Sequence, residues 1–390
     1  MRQSALSCGQ RVHIPSPACG VLQTAIEGDG EGNRCTKSCF GQCFFWIVVF
    51  CLGLAACSDA PLLTKRESFV FGTRVEVLVA GEKEAPAQAA IAAVLADFDA
   101  LHHAYHAWQP SQLSEVNAAI AAGKPIEVSA EMAGLIRDAQ EYASLSEGRF
   151  DPGIGKLVAL WGFHADEFAA QLPDAKALQA WRQHPASIAQ IRLEGSDGRR
   201  LVSENRDVML DFGGYLKGVA LDRAANILRE AGIKNALINI GGNVMALGDK
   251  NGLPWKIGIQ HPRKPEPLAI LDLYDGEAIG TSGDYQRYFE LNGRRYSHLL
   301  DPATGEPVMH TQAVTILISP QEEPGRTGTR SDVFSKPLFI AGADDWREAA
   351  HALGITHVLR VDAKGEIEVT EDFMPRLTFP EGIKHLAGGN

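Results

Sequence analysis

A chain of 390 residues with a net charge of −11 and 45% hydrophobic residues has room for one large or two modest domains, and enough apolar side chains to bury a sizeable core. Its acidity, with no basic run and no aromatic–basic interleaving, argues against nucleic acid as a partner. All seven cysteines lie at or before Cys57, so no thiolate remains beyond it for zinc ligation or disulfide exchange.

Residues 1–33 are too long and too polar for a leader start, and no function attaches to them. The apolar run Phe44-Phe45-Trp46-Ile47-Val48-Val49-Phe50 follows Arg34 and Lys37 and ends in Leu54-Ala55-Ala56-Cys57, a signal-peptide pattern. That tetrapeptide resembles the bacterial lipobox, which makes Cys57 the expected lipidation site; the run is shorter than the ~20 residues of a spanning helix. The expected division is a signal peptide with an N-terminal extension over 1–56, a lipidated cysteine and tether over 57–67, and one folded unit over 68–390.

Residues 68–80 alternate apolar and polar side chains, which is strand periodicity, with an interruption at Gly72-Thr73. Alanine-rich 86–106 predicts a helix, and 129–146 predicts another after a turn at Gly123-Lys124-Pro125. A helix over 215–231 closes at Gly232, and a strand over 235–247 breaks at Gly241-Gly242. Further strands are expected at 255–260, 269–274, 295–300 and 313–319, with 322–328 a surface excursion between a strand and a helix. Helices and strands mix without a strict βαβ repeat or a long linker. The fold class is therefore α+β, a single compact domain with mixed or antiparallel sheets and packed helices.

No Gly-x-Gly-x-x-Gly opens a helix, no Gly-x-x-x-x-Gly-Lys-Ser/Thr occurs, and the region beyond Cys57 has no Gly-x-Ser-x-Gly elbow. Rossmann, P-loop and nucleophile-elbow enzymes are disfavoured. His102, His103 and His106 share a helix face but have no accompanying carboxylate base, so a partly exposed face is the better reading than a metal site. Asp211-Phe212-Gly213-Gly214-Tyr215-Leu216-Lys217-Gly218 ends an apolar run with an acid and opens a helix whose free N–H groups suit a phosphate. Lys217 can add a point charge for a diphosphate, and Asp211 can accept from a ring or sugar. Alone, this stretch reads equally well as a tight strand-to-helix turn.

Its companions are Phe150-Asp151-Pro152-Gly153-Ile154-Gly155 leading to Leu160-Trp161-Gly162-Phe163, then Asn239-Ile240-Gly241-Gly242-Asn243, Thr281-Ser282-Gly283-Asp284-Tyr285, and Tyr296-Ser297-His298-Leu299-Leu300-Asp301-Pro302. In this order they resemble the ApbE family, the FAD:protein FMN transferases, over about residues 68 to 360. The resemblance implies a magnesium-dependent, often lipid-anchored α+β protein that cleaves FAD and leaves FMN in phosphodiester linkage on a target Thr or Ser hydroxyl. It implies FAD contacts at Phe71, Trp108, Arg149, Phe150, Asp151, Asp211, Lys217 and Leu300. Metal ligands are implied at the Gly214 carbonyl, Asp332 and Ser335. His298, beside Asp301 in sequence, is the candidate general base.

The partners implied are FAD and an acceptor flavoprotein subunit of a membrane electron-transfer complex, and the location implied is the periplasmic face of a bacterial envelope. Two other readings stay open: an FAD pyrophosphatase, and a non-catalytic FAD-binding lipoprotein. The sequence departs from the family's pattern at Phe71 and Asn243, and more seriously at Lys336, which stands where a threonine ligand for Mg²⁺ is expected. An ammonium only donates and cannot ligate a cation. If it points into the site, it is expected to supply part of the charge that Mg²⁺ would bring.

Overall fold

The computed structural model describes residues 62–165, 167, 169–322, 324–384 and 386–387; the signal-peptide and Cys57 expectations lie outside them. A nine-stranded sheet runs in the order Leu63–Val70, Thr73–Ala80, Asn235–Ile240, Asn243–Leu247, Ala278–Gly283, Thr311–Ile318, His357–Asp362, Ile367–Val369 and Leu386–Ala387. Every neighbouring pair is antiparallel except the last. The α+β class is borne out.

Both faces of this sheet are covered, and the side-chain period of two sorts its residues between two cores. Val75, Val77 and Val79 face a helical layer with Ile238, Ile240, Met245, Val314 and Ile316. Leu78, Ala80, Leu237, Val244, Ala246 and Leu317 face the other way, onto a three-stranded sheet of Trp255–Gln260, Pro267–Leu273 and Leu377–Thr378. All eight residues of Thr311–Ile318 are buried, as befits a central strand covered on both sides.

The helical layer holds Glu84–Ala104, Leu216–Glu230 and Thr327–Ala352, which pack on one another and on the sheet. Ser129 caps the helix Ala130–Leu145 by accepting from the Met132 N–H, in keeping with the helix expected over 129–146. Three further helices, Gln112–Ala122, Gly155–Leu160 and Ala175–Gln183, were not among the expected elements.

The expected strand over 68–80 is two strands, Leu63–Val70 and Thr73–Ala80, joined by a two-residue turn in which Phe71 and Gly72 take φ of 56° and 67°. Residues 63–67, read as tether, pair with 76–80 and so belong to the sheet. The strand over 235–247 likewise folds back at Gly241-Gly242. The expected strand at 295–300 is shorter, Arg294–Ser297 paired with Tyr288–Leu291, and Leu300–Asp301 pairs separately with Glu306–Pro307.

Two glycines set how closely the helical layer is drawn together. A Cβ on Gly280 would lie 2.0 Å from the Ser331 carbonyl oxygen, and one on Gly218 would lie 2.6 Å from that of Gly328. Only a residue without Cβ lets the strand and both helices meet there.

Candidate active site

The site is built where the N-terminus of Leu216–Glu230 meets the first turns of Thr327–Ala352. Asp222 anchors the second helix: its carboxylate accepts from the N–H groups of Gly328 and Thr329, each at 2.8 Å, and from the Thr329 hydroxyl at 2.6 Å. That places Asp332 one turn further on, buried, with Oδ2 accepting from the Gly218 N–H at 2.9 Å. The contact exists because Gly218 lets the helices approach.

Two ammonium groups converge on the same carboxylate. Lys336 Nζ donates to Asp332 Oδ1 at 2.7 Å and to the Asp332 carbonyl at 2.6 Å, and Lys217 Nζ lies 4.0 Å from Oδ1. Lys217 also donates to the Gly213 carbonyl at 2.9 Å. Burial alone would raise the Asp332 carboxyl, but the two lysines and the Gly218 N–H hold it below the ordinary carboxylate value. Burial lowers the Lys336 ammonium, and Asp332 opposes that shift.

The stem of Lys336 lies over the glycine turn: a Cβ on Gly214 would sit 2.8 Å from Lys336 Cε. Ser335, expected as a ligand, corrects that expectation. Its buried hydroxyl pairs with Ser282 Oγ at 2.8 Å and donates to the Asp332 carbonyl at 2.9 Å, while Lys336 takes the place beside the carboxylate. With Asp332 Oδ1 engaged by one ammonium and approached by another, this donor set does not fit a divalent cation. Among the described residues no group of three or more His, Cys, Asp or Glu side chains could hold a metal ion.

Asp211 stands at the other end of the turn. Its Oδ1 caps the Phe212–Gly214 turn through the Gly213 N–H at 2.8 Å, and its Oδ2 accepts from Trp108 Nε1 at 3.1 Å. The Trp108 ring packs against that of His164, with centroids 5.2 Å apart. Two FAD-contact candidates more than a hundred residues apart in sequence are thus joined directly.

The loop holding Phe150 and Asp151 positions this segment rather than lining it with charge. Gly155 N–H donates to the Met209 carbonyl at 2.8 Å, Met209 N–H to that of Gly153 at 3.1 Å, and Asp211 N–H to that of Pro152 at 2.8 Å. Asp151, read as an FAD contact, spends its buried Oδ1 on the N–H groups of Gly153 and Ile188, at 2.7 and 2.9 Å. That is a structural task, and burial raises its carboxyl above the ordinary value. Phe150 is buried against Tyr215, Arg149 pairs with Glu147 at 2.8 Å, and Leu300 is buried beside its strand partner Pro307. Phe71 packs its ring on Phe98 and His102, at 6.0 and 5.8 Å between centroids.

His298 is half-buried and faces the cations of Arg287, Lys217 and Lys336. Its Nδ1 lies 3.2 Å from the Arg287 carbonyl, which can only accept, so Nδ1 carries the proton and Nε2 keeps the lone pair. Burial first, and those cations second, push its pKa down to about 3, so the ring stays neutral at ordinary pH. Asp301 does not assist it: both its carboxylate oxygens are used within the 301–304 turn, by Ala303 N–H and the Thr304 hydroxyl.

Several residues that organise the site gave no signal of their own in sequence. Arg287 holds the backbone of His298 through its carbonyl and donates to the carbonyls of Phe163 and Ala165 at 2.8 and 2.7 Å. Asn117 braces the strand-like entry to Asp211 by a two-way bond with the Leu210 backbone, at 2.9 and 2.7 Å.

The comparisons with known proteins agree with this fold. The family model described as ApbE family matches residues 71–359, and the chain belongs to that family. It is 37% identical over 324 residues to the FAD:protein FMN transferase of Rhodobacter capsulatus, across 83% of this chain and 60% of that protein. The chain thus spans 60% of that relative's length. It is 30% identical over 314 residues to the FAD:protein FMN transferase of Klebsiella pneumoniae, across 79% of this chain and 87% of that one. The solved ApbE protein of Thermotoga maritima superposes with a TM-score of 0.72 at 31% identity, across 81% of this chain and 99% of that chain.

Proposed function

We propose that this chain is an FAD:protein FMN transferase, acting on a Thr or Ser hydroxyl of a flavoprotein subunit in a membrane electron-transfer complex. The acceptor hydroxyl oxygen bonds to the phosphorus on the FMN side of FAD, the bridging P–O bond breaks, and AMP leaves with the electron pair. The observation that carries this reading is the pair of ammonium groups on Asp332, set against the Trp108–Asp211 contact in a chain of the ApbE family.

Lys217 and Lys336 supply positive charge for the diphosphate and the departing AMP, the electrostatic help that phosphoryl transfer needs most. His298 Nε2 carries the lone pair and is the acceptor for the hydroxyl proton, its basicity raised when the FAD diphosphate offsets the Lys217 and Lys336 charges that, after burial and Arg287, help hold the ring neutral. In the ApbE family Mg²⁺ supplies charge neutralisation; here the donor set around Asp332 does not fit it, and no step of this scheme passes through a metal.

The test is to incubate the purified protein with FAD and a recombinant membrane flavoprotein subunit bearing a Ser/Thr acceptor. Flavin fluorescence that stays with the denatured acceptor, together with released AMP, supports transfer. FMN and AMP in solution without adduct would make it a pyrophosphatase; intact FAD would make it a binding protein.

A periplasmic, lipid-anchored placement belongs to the same proposal, supported by the apolar run before Leu54-Ala55-Ala56-Cys57. Cys57→Ser should release the protein from membranes, because acyl chains are what hold such a protein there. Retention after a high-salt wash would remove the anchor.

A further inference from the structure

We propose that the ammonium of Lys336 is the resident cation of the diphosphate site, standing in for a divalent metal, so that FAD binds here without one. The inference rests on the FAD reading above and specifies how the charge of the ligand is met.

Three features of the geometry carry it. Lys336 Nζ holds both the Oδ1 carboxylate oxygen and the main-chain carbonyl oxygen of Asp332, the hard oxygens that a metal would need. Its stem occupies the space over Gly214, whose carbonyl was the next expected ligand. The remaining candidate, the Ser335 hydroxyl, is turned to Ser282 and the Asp332 carbonyl.

The charge count points the same way. One carboxylate and two ammonium groups, with Lys217 Nζ 4.0 Å from Oδ1, leave a net positive cluster that repels a divalent cation and attracts a diphosphate. An ammonium has three N–H donors, and Lys336 uses two on Asp332. The third is left for a phosphate oxygen, and the side chain is 16% exposed, enough to reach one.

Calorimetric titration of FAD into metal-stripped protein, with and without Mg²⁺, reads the proposal directly. The unmodified protein should bind FAD with a Kd that Mg²⁺ changes by less than about threefold, whereas Lys336→Thr should weaken metal-free binding by about tenfold or more and regain it with Mg²⁺. A second measurement needs no FAD: Mn²⁺ titration followed by the electron paramagnetic resonance of the free ion. The unmodified protein should take up no stoichiometric Mn²⁺, and Lys336→Thr should gain one site that Asp332→Asn in the same background removes.

An FAD affinity in the unmodified protein that rises about tenfold or more with Mg²⁺, or one stoichiometric Mn²⁺ site there, overturns the proposal. Both overturning results come from the unmodified chain, so they stand even where Lys336→Thr fails to fold. If no FAD binds under either condition, the functional reading fails, and the Mn²⁺ titration still decides the role of Lys336.

Discussion

Asp151 and Asp332 are both buried carboxylates in segments singled out by sequence, yet their surroundings assign them opposite work. Asp151 accepts from backbone N–H groups at Gly153 and Ile188 and meets no cation, and its carboxyl is raised by burial. Asp332 meets one N–H and two ammonium groups, and its carboxyl is held low. A buried acid spent on backbone donors shapes a loop, whereas a buried acid that gathers partly buried side-chain cations prepares a place for an anion.

The largest break in this comparison comes from Asp332→Asn. Removing the charge leaves two ammonium groups without their counterion at a buried position, at a cost of roughly 3–5 kcal/mol by chemical denaturation. The difference from the unmodified protein should shrink as pH falls below 3.8, because a carboxyl depressed on folding stabilises above its unfolded value and loses that contribution as it protonates. A difference that persists unchanged in acid would remove the charge from the explanation.

His298→Ala comes next. It should lower transfer by roughly 10²–10⁴ while FAD affinity stays within a few-fold, the usual worth of a proton acceptor. Because burial and the neighbouring cations hold the His298 pKa down to about 3, kcat/KM for FAD should show no acid limb of histidine origin near 6.5. Unchanged transfer in the alanine variant would take His298 out of the reaction.

Asp151 provides the contrast at smaller scale. Asp151→Ala leaves two buried N–H groups unpaired and should cost about 1–3 kcal/mol of stability, while Asp151→Asn, whose amide oxygen still accepts, should stay within about 1 kcal/mol. At Asp332 the same Asn substitution should rescue nothing. The smallest effect is expected from Trp108→Phe, which removes one N–H from Asp211 and should weaken FAD binding by roughly 0.5–1.5 kcal/mol in a fluorescence titration.

The strands and long helices were legible because their cores are periodic: the alternation of Val75, Val77 and Val79 is enough to mark one face of a strand. The boundary at residue 68 was not, since Leu63–Val70 is an edge strand whose mostly exposed side chains carry little apolar pattern. At the site, Asp211 and Lys217 were readable from a glycine-punctuated motif, and Asp332 from the family resemblance. Ser335 and Lys336 adjoin in sequence, but which of them reaches the Asp332 carboxylate depends on packing across elements: the serine hydroxyl pairs with Ser282 on a neighbouring strand and the lysine takes the carboxylate. Asp222, Asn117 and Arg287 act on backbone far from them in sequence, so no local spacing could reveal them.

On the proposed function, the junction at Asp332 receives the diphosphate of FAD. A crystal structure of the FAD complex grown in a metal chelator tests it most directly. Phosphate oxygens are expected within hydrogen-bond distance of Lys217 Nζ and Lys336 Nζ, with the flavin half running toward Trp108 and Asp211. FAD bound elsewhere on the chain, or a diphosphate that leaves both lysines on Asp332 without touching either, would contradict it.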